Sequence, residues 1–163
     1  MSINVNMNDP FINEVFQTAR EGINSTLITK MRSGFLLLGF QQFLPGYVVL
    51  FADPPVSCLN DLSFEERANF LRDMSIAGDA LLRCTEAYRI NYEILGNESP
   101  ILHAHIFPRY MYEKEQYRKG PVWLYKEEIY NSVMFDQERH KDLIDNIKSE
   151  VETLQGKIFK RVI

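Results

Sequence analysis

The chain has 163 residues, a net charge of −4, 45% apolar residues and 25% charged residues, a balance that fits one globular domain over residues 1–163 with a packed core. The acidic balance argues against a protein that grips a nucleic-acid backbone, which would be basic, but not against a small phosphorylated ligand. No apolar run reaches the roughly 18 residues of a membrane span, the polar Met1–Pro10 stretch lacks the features of a signal peptide, and Cys58 and Cys84 are too few and too isolated for a disulfide framework, so a reduced, cytoplasmic setting is expected.

Asp9-Pro10 reads as a helix start, with Asp as the cap and Pro at the first helical position. A helix over about 10–22 follows, with Phe11, Ile12, Val15, Phe16 and Ala19 as its apolar stripe. Three strand-like runs come next, over 26–31, 34–40 and 46–51, separated by Arg32-Ser33-Gly34 and by a stretch ending in Pro45-Gly46. Short strands joined by turns predict an antiparallel meander, and Asp53-Pro54-Pro55 closes it. Ser63-Phe64-Glu65-Glu66 has the form of a capping box. Phe70, Leu71, Met74, Ala77, Leu81 and Leu82 then recur at helical spacing, giving a long helix over about 64–86 in which Gly78 marks close packing against the sheet.

A fourth strand is expected over 89–95 and a fifth over 101–107, joined by the polar turn Gly96-Asn97-Glu98-Ser99-Pro100. Pro108, with no N–H, is expected to end regular pairing. Residues 110–131 are aromatic and charged without a clear period, and read as an irregular segment over a surface. A last helix starts at Asp136, carries Leu143, Ile144, Ile147, Val151 and Leu154 on one face, and stops at Gly156. The whole reads as an α+β fold: an antiparallel sheet of about five strands with packed helices.

The fifth strand holds the chemistry. It reads Ile101-Leu102-His103-Ala104-His105-Ile106-Phe107. Side chains alternate faces along a strand, so Ile101, His103, His105 and Phe107 share one face, with His103 and His105 expected exposed in one cleft. Leu102, Ala104 and Ile106 share the other, buried under the helix that begins near Phe64. Two imidazoles then project in one direction from a rigid element and can converge on one anion or one metal.

Three uses fit such a pair. Metal binding wants three or four ligands, whereas the remaining histidine, His140, lies on a charged helix where an exposed surface role is expected. The nearest downstream acid is Glu113, eight residues past His105, so no metal site is expected. Nucleophilic catalysis needs one neutral imidazole to attack phosphorus and donors to hold the developing charge. The turn with Gly96, Asn97 and Ser99 would supply such donors. The third use is purely structural.

The run Leu102-His-Ala-His-Ile-Phe-Pro-Arg109 resembles the histidine triad (HIT) signature. Leu44-Pro-Gly-Tyr-Val-Val-Leu50 is similar to the family's Pro-Gly-His strand, and Leu59-Asn-Asp-Leu-Ser-Phe-Glu-Glu66 to its Asp-Leu-x-x-Glu-Glu helix start. Gly96-Asn97 falls at the place of the family's Gly-Gln, and Asn91 resembles an Asn on the preceding strand. The likeness covers roughly residues 25–109 and lies nearest the dinucleoside polyphosphate hydrolase-like bacterial members.

The resemblance implies a half-barrel antiparallel sheet, a homodimer, and a purine nucleotide cleaved at its α-phosphate to release a nucleoside monophosphate. It makes His103 the nucleophile and His105 the phosphate contact. Asn91, Gly96, Asn97 and Ser99 would line the phosphate and ribose end; Tyr47, standing where the family has a histidine, could still donate a hydrogen bond there. No cofactor is called for; a divalent ion would enter only with a polyphosphate.

Three positions depart from the signature. Ile101 stands for the first histidine of the triad, Tyr47 for the histidine after Pro-Gly, and Gly39 for an Asn. A backbone carbonyl could hold the tautomer of His103 in place of the lost imidazole. The alternative function is a nucleotide-binding protein with little or no turnover.

Overall fold

Pro10 opens the first helix, α1 (Pro10–Glu21), as its fixed φ favours. The computed structural model describes residues 10–97, 99 and 101–160, apart from the side chains of Phe11 and 158–160. The capping role of Asp9, the share of Phe11 in the stripe, and Glu98 and Pro100 of the turn lie outside the described residues. Ile12, Phe16 and Ala19 of α1 are buried against Phe35, Leu37 and Ile101.

The sheet is antiparallel with five strands: β1 (Leu27–Lys30), β2 (Gly34–Leu38), β3 (Val48–Ala52), β4 (Arg89–Glu93) and β5 (His103–Arg109). Their order is β1-β2-β3-β5-β4. The first three form the expected meander. Helix α2 (Phe64–Cys84) then carries the chain to the edge strand β4, and β5 returns between β3 and β4. The histidine strand is therefore held from both sides, with Phe51 opposite His103, and Val49 and Glu93 opposite His105.

Helix α2 begins with a complete capping box: the Glu66 N–H donates to the Ser63 hydroxyl, and the Ser63 N–H donates to the Glu66 carboxylate. Its end is earlier than the periodicity predicts, because the Thr85 hydroxyl and N–H both donate to the Leu81 carbonyl and take the chain out of the helix. A methyl group at Gly78 would collide with the ring and hydroxyl of Tyr92 on β4, which is the close packing its presence suggests.

One face of the sheet is covered by α2 and by α5 (Gln137–Lys160). Leu102, Ala104 and Ile106 pack there against Phe70, Ala77, Leu81, Ile147 and Val151. The other face carries two apolar clusters. One lies under α1. The second gathers Leu44, Tyr47, Val49 and Phe107 with Tyr110 and Val122 from the segment after β5. Phe51 packs against both clusters, so the seam between them runs beside the histidine pair.

Four expectations are corrected. Pro108 does not end the strand: it sits in register with Ile90, beyond Ile106, the last β5 residue paired with β3. With one neighbour strand only, a missing N–H leaves no broken ladder on the open side. Gly156 does not stop the last helix, which runs on to Lys160. Gly156 lacks the left-handed φ that a glycine stop uses. Residues 110–131 are not irregular but form α3 (Glu115–Arg118), a 3-10 turn (Val122–Leu124) and α4 (Glu127–Tyr130), helical pieces too short to print a period on the sequence. His140 is buried rather than exposed; its ring stacks on Phe135 and its Nδ1 accepts the Asp136 N–H at the start of α5. Among the described residues, no helix is long and apolar enough to cross a membrane.

Candidate functional site

Strand alternation places the two imidazoles on the same face, with ring centroids 4.7 Å apart and planes at 82°. Their surroundings correct one expectation. His103 is only 8% exposed, not open to solvent, because Phe51 stacks on it at 5.6 Å and 26°. His105 is half-buried. The Trp123 ring meets it edge-on at 5.2 Å, and Phe107 lies parallel at 5.8 Å.

The hydrogen bonds form a chain whose proton positions follow from its two ends. The Ile101 carbonyl lies 2.7 Å from His103 Nδ1. A carbonyl only accepts, so Nδ1 carries the proton, and in the neutral ring Nε2 keeps its lone pair. Nε2 of His103 lies 3.1 Å from Nε2 of His105, which then donates. Nδ1 of His105 is left as an acceptor, 2.6 Å from the Tyr47 hydroxyl. Burial, and then the neighbouring His103, push His105 down to about 4, so at neutral pH it is an uncharged donor. Burial first, then Tyr130 and Glu93, hold the Tyr47 hydroxyl well above its ordinary range, so it keeps its proton to give. The tautomer of His103 is thus set by the main chain of Ile101, whose side chain is not needed.

Because His105 is neutral when folded and titrates near 6.5 when unfolded, stability is fully present above about pH 6.5 and is lost as pH falls toward 4. The expected loss is on the order of 3 kcal/mol. Urea unfolding at pH 7 and pH 4 measures it, and the part due to His105 should be missing from His105→Asn.

The other sequence candidates are distributed differently. Tyr47, buried, stacks on Phe107 at 4.2 Å and joins the imidazole chain. The Asn91 amide oxygen accepts from Arg109 Nη1 at 2.9 Å and so serves the arginine. Gly96 has φ +77°, a conformation glycine adopts freely. Gly96 and Asn97 are exposed and Ser99 is half-buried. Among the described residues, no hydrogen bond links Asn97 or Ser99 to either imidazole. Glu113, the nearest acid downstream of the pair, is committed to Arg109 and Tyr125. Among the described residues, no group of three or more His, Cys, Asp or Glu side chains could hold a metal.

Sequence reasoning missed three neighbours. Glu93 faces His105 across the sheet and accepts from the Trp123 indole N–H. Trp123 itself comes from the segment after β5. Arg109 anchors that segment, donating to Glu113, to the Tyr117 carbonyl at 2.7 Å and to the Gly120 carbonyl at 3.1 Å. Beside the pair, a cavity of about 120 Å³ is lined by Val15, Leu37, Gly39, Tyr47, Val49 and Phe51, among others.

No family model matches the chain, and no curated protein sequence matches it. Solved structures do. A histidine triad protein of Marinobacter aquaeolei is 22% identical, with 78% of this chain and 89% of that one covered, at a TM-score of 0.67. One from Sinorhizobium meliloti is 20% identical, covering 76% and 87%, at 0.66. The diadenosine triphosphate hydrolase of Plasmodium falciparum is 18% identical, covering 80% and 78%, at 0.53. The five-stranded antiparallel sheet with its packed helices is, in this chain, the histidine triad fold.

Proposed function

We propose that the chain binds a nucleoside phosphate and cleaves it at the α-phosphorus, with His103 as nucleophile. The observation that carries this reading is the 2.7 Å hydrogen bond from His103 Nδ1 to the Ile101 carbonyl, which leaves the Nε2 lone pair directed at His105 Nε2–H. A nucleophilic imidazole needs that tautomer. Phosphate entering between the rings would take the His105 N–H onto one of its oxygens and free the His103 lone pair.

Nε2 would then form a bond to phosphorus while the bond from phosphorus to the leaving oxygen breaks, that oxygen keeping the electron pair. Water would attack the nucleotidyl-histidine in a second step, forming a P–O bond and losing one proton to solvent, while the P–N bond breaks, the pair returns to Nε2 and the monophosphate is released. The His105 N–H is the donor to the phosphoryl oxygen in both steps, the role that electrostatic stabilisation requires. The apolar cavity between α1 and β3 suits the flat face of a base. The shared fold of a diadenosine triphosphate hydrolase supports a dinucleoside polyphosphate as substrate, with a homodimer as the assembly the resemblance implies.

The experiment is monophosphate release from a panel of dinucleoside polyphosphates, followed by chromatography. Release supports the enzyme. The second reading, a binding protein with little turnover, is favoured by the burial of His103 and by the His105 contact on its nucleophilic nitrogen; binding without release selects it. The turn is tested separately. Gly96→Val forces a branched side chain into a left-handed backbone and should weaken nucleotide binding while circular dichroism stays unchanged. A folded variant with unaltered affinity by calorimetry would move the phosphate site away from this turn.

A further inference from the structure

Two departures from the histidine triad signature, Gly39 and Tyr47, are joined in space. A Cβ placed on Gly39 would overlap the Tyr47 ring at its Cδ1 and Cε1 atoms. The phenol therefore occupies the room that a side chain at 39 would need. On its other side the ring stacks on Phe107 at 4.2 Å, and the backbone around it is fixed. The Gly39 N–H donates to the Tyr47 carbonyl at 2.8 Å, and the Gln42 amide donates to the Gly39 and Tyr47 carbonyls at 2.7 and 2.9 Å. A ring held this way has little freedom to point its hydroxyl anywhere but at His105 Nδ1, 2.6 Å away.

Resting on the reading of His103 as nucleophile, we infer that Tyr47 is a positioning residue: its hydroxyl, seated by the absent side chain at Gly39, donates to His105 Nδ1 and so aims the Nε2–H of a neutral His105 at the reaction centre. The ionisable groups around His105 are His103 on the same strand, Glu93 on β4 and Tyr47 before β3, with Tyr130 of α4 bearing on Tyr47. A hydrogen bond donated to Nδ1 stabilises the neutral ring only, since a protonated Nδ1 has no lone pair to receive it. Tyr47 acts through His105 rather than on the substrate.

The test uses the full chain with ¹⁵N-labelled histidine, which reports three imidazoles only. In the wild type, His105 should stay neutral at pH 6 with its proton on Nε2. In Tyr47→Phe, which keeps the ring and loses the hydroxyl, the His105 midpoint should rise by about one unit, the size of one hydrogen bond, and kcat should fall about tenfold with a smaller change in KM. Gly39→Ala, which displaces the ring and keeps the hydroxyl, should raise the same midpoint. An unchanged His105 midpoint in both folded variants overturns the inference, whether or not the wild type turns over. A midpoint that rises in both variants, when the wild type releases no monophosphate, upholds the seating of His105 and removes only the catalytic reading.

Discussion

His103→Ala should release no measurable monophosphate from a dinucleoside polyphosphate, a loss of roughly 10⁴-fold or more, on the scale of deleting a catalytic nucleophile. The ring is the group whose Nε2 must form the bond to phosphorus, and no second unhindered imidazole can replace it: His105 Nδ1 is taken by Tyr47 and His140 is buried at the start of α5. His105→Ala should cost less, about 10²- to 10³-fold, as the loss of one donor to the phosphoryl oxygen does. Nucleotide affinity, read by calorimetry, should change by less than about tenfold in both variants, because the base is expected in the apolar cavity beside β3. Equal losses in the two variants would mean that the imidazoles act in some other division of labour.

Glu113→Ala should destabilise the chain by about 3–5 kcal/mol, the cost of leaving a buried charge unpaired. Arg109 and Glu113 each expose only 2% of their side chains. Burial alone would raise the Glu113 carboxyl, but donation from Arg109, the Tyr125 hydroxyl and the Tyr110 N–H holds it below its ordinary value. The Arg109 guanidinium, bonded also to Asn91 and to the Tyr117 and Gly120 carbonyls, ties the segment after β5 to the sheet. That segment delivers Trp123 to the edge of His105. The variant should therefore lose monophosphate release together with stability. Urea unfolding checks the loss of stability and chromatography the loss of monophosphate release, while the fluorescence of Trp123, the single tryptophan of the chain, reports whether the segment stays docked. A change below about 1 kcal/mol would place the pair among surface-like bridges of little weight.

Local chemistry made the helix starts legible: a proline at Pro10 and the capping box at Ser63 need only neighbouring residues. The alternation of Leu102, Ala104 and Ile106 with His103 and His105 was equally local, and it set the two faces of β5 correctly. What depended on topology was not legible. The burial of His103 comes from Phe51, which reaches it because β5 inserts between β3 and β4. Glu93 and Trp123 meet His105 from an edge strand and from a segment after the motif, and no spacing in the sequence announces either. Pro108 and Gly156 misled for one reason: each was read by its local preference, while the open edge beside Pro108 and the continuing helix around Gly156 made that preference harmless. The Ile101 position taught the opposite lesson. Its side chain departs from the signature, yet its carbonyl, which any residue has, supplies the bond to His103 Nδ1.

Catalysis by His103 requires a covalent bond between its Nε2 and phosphorus. Rapid acid-free quenching during turnover of a dinucleoside polyphosphate, followed by mass spectrometry of peptides kept at alkaline pH, tests it directly. The expected result is a nucleoside monophosphate adduct on the peptide containing His103, lost on brief acid treatment and missing from His103→Ala. A protein that binds the nucleotide but yields neither adduct nor free monophosphate would contradict nucleophilic catalysis by His103 and leave a binding protein built on the same fold.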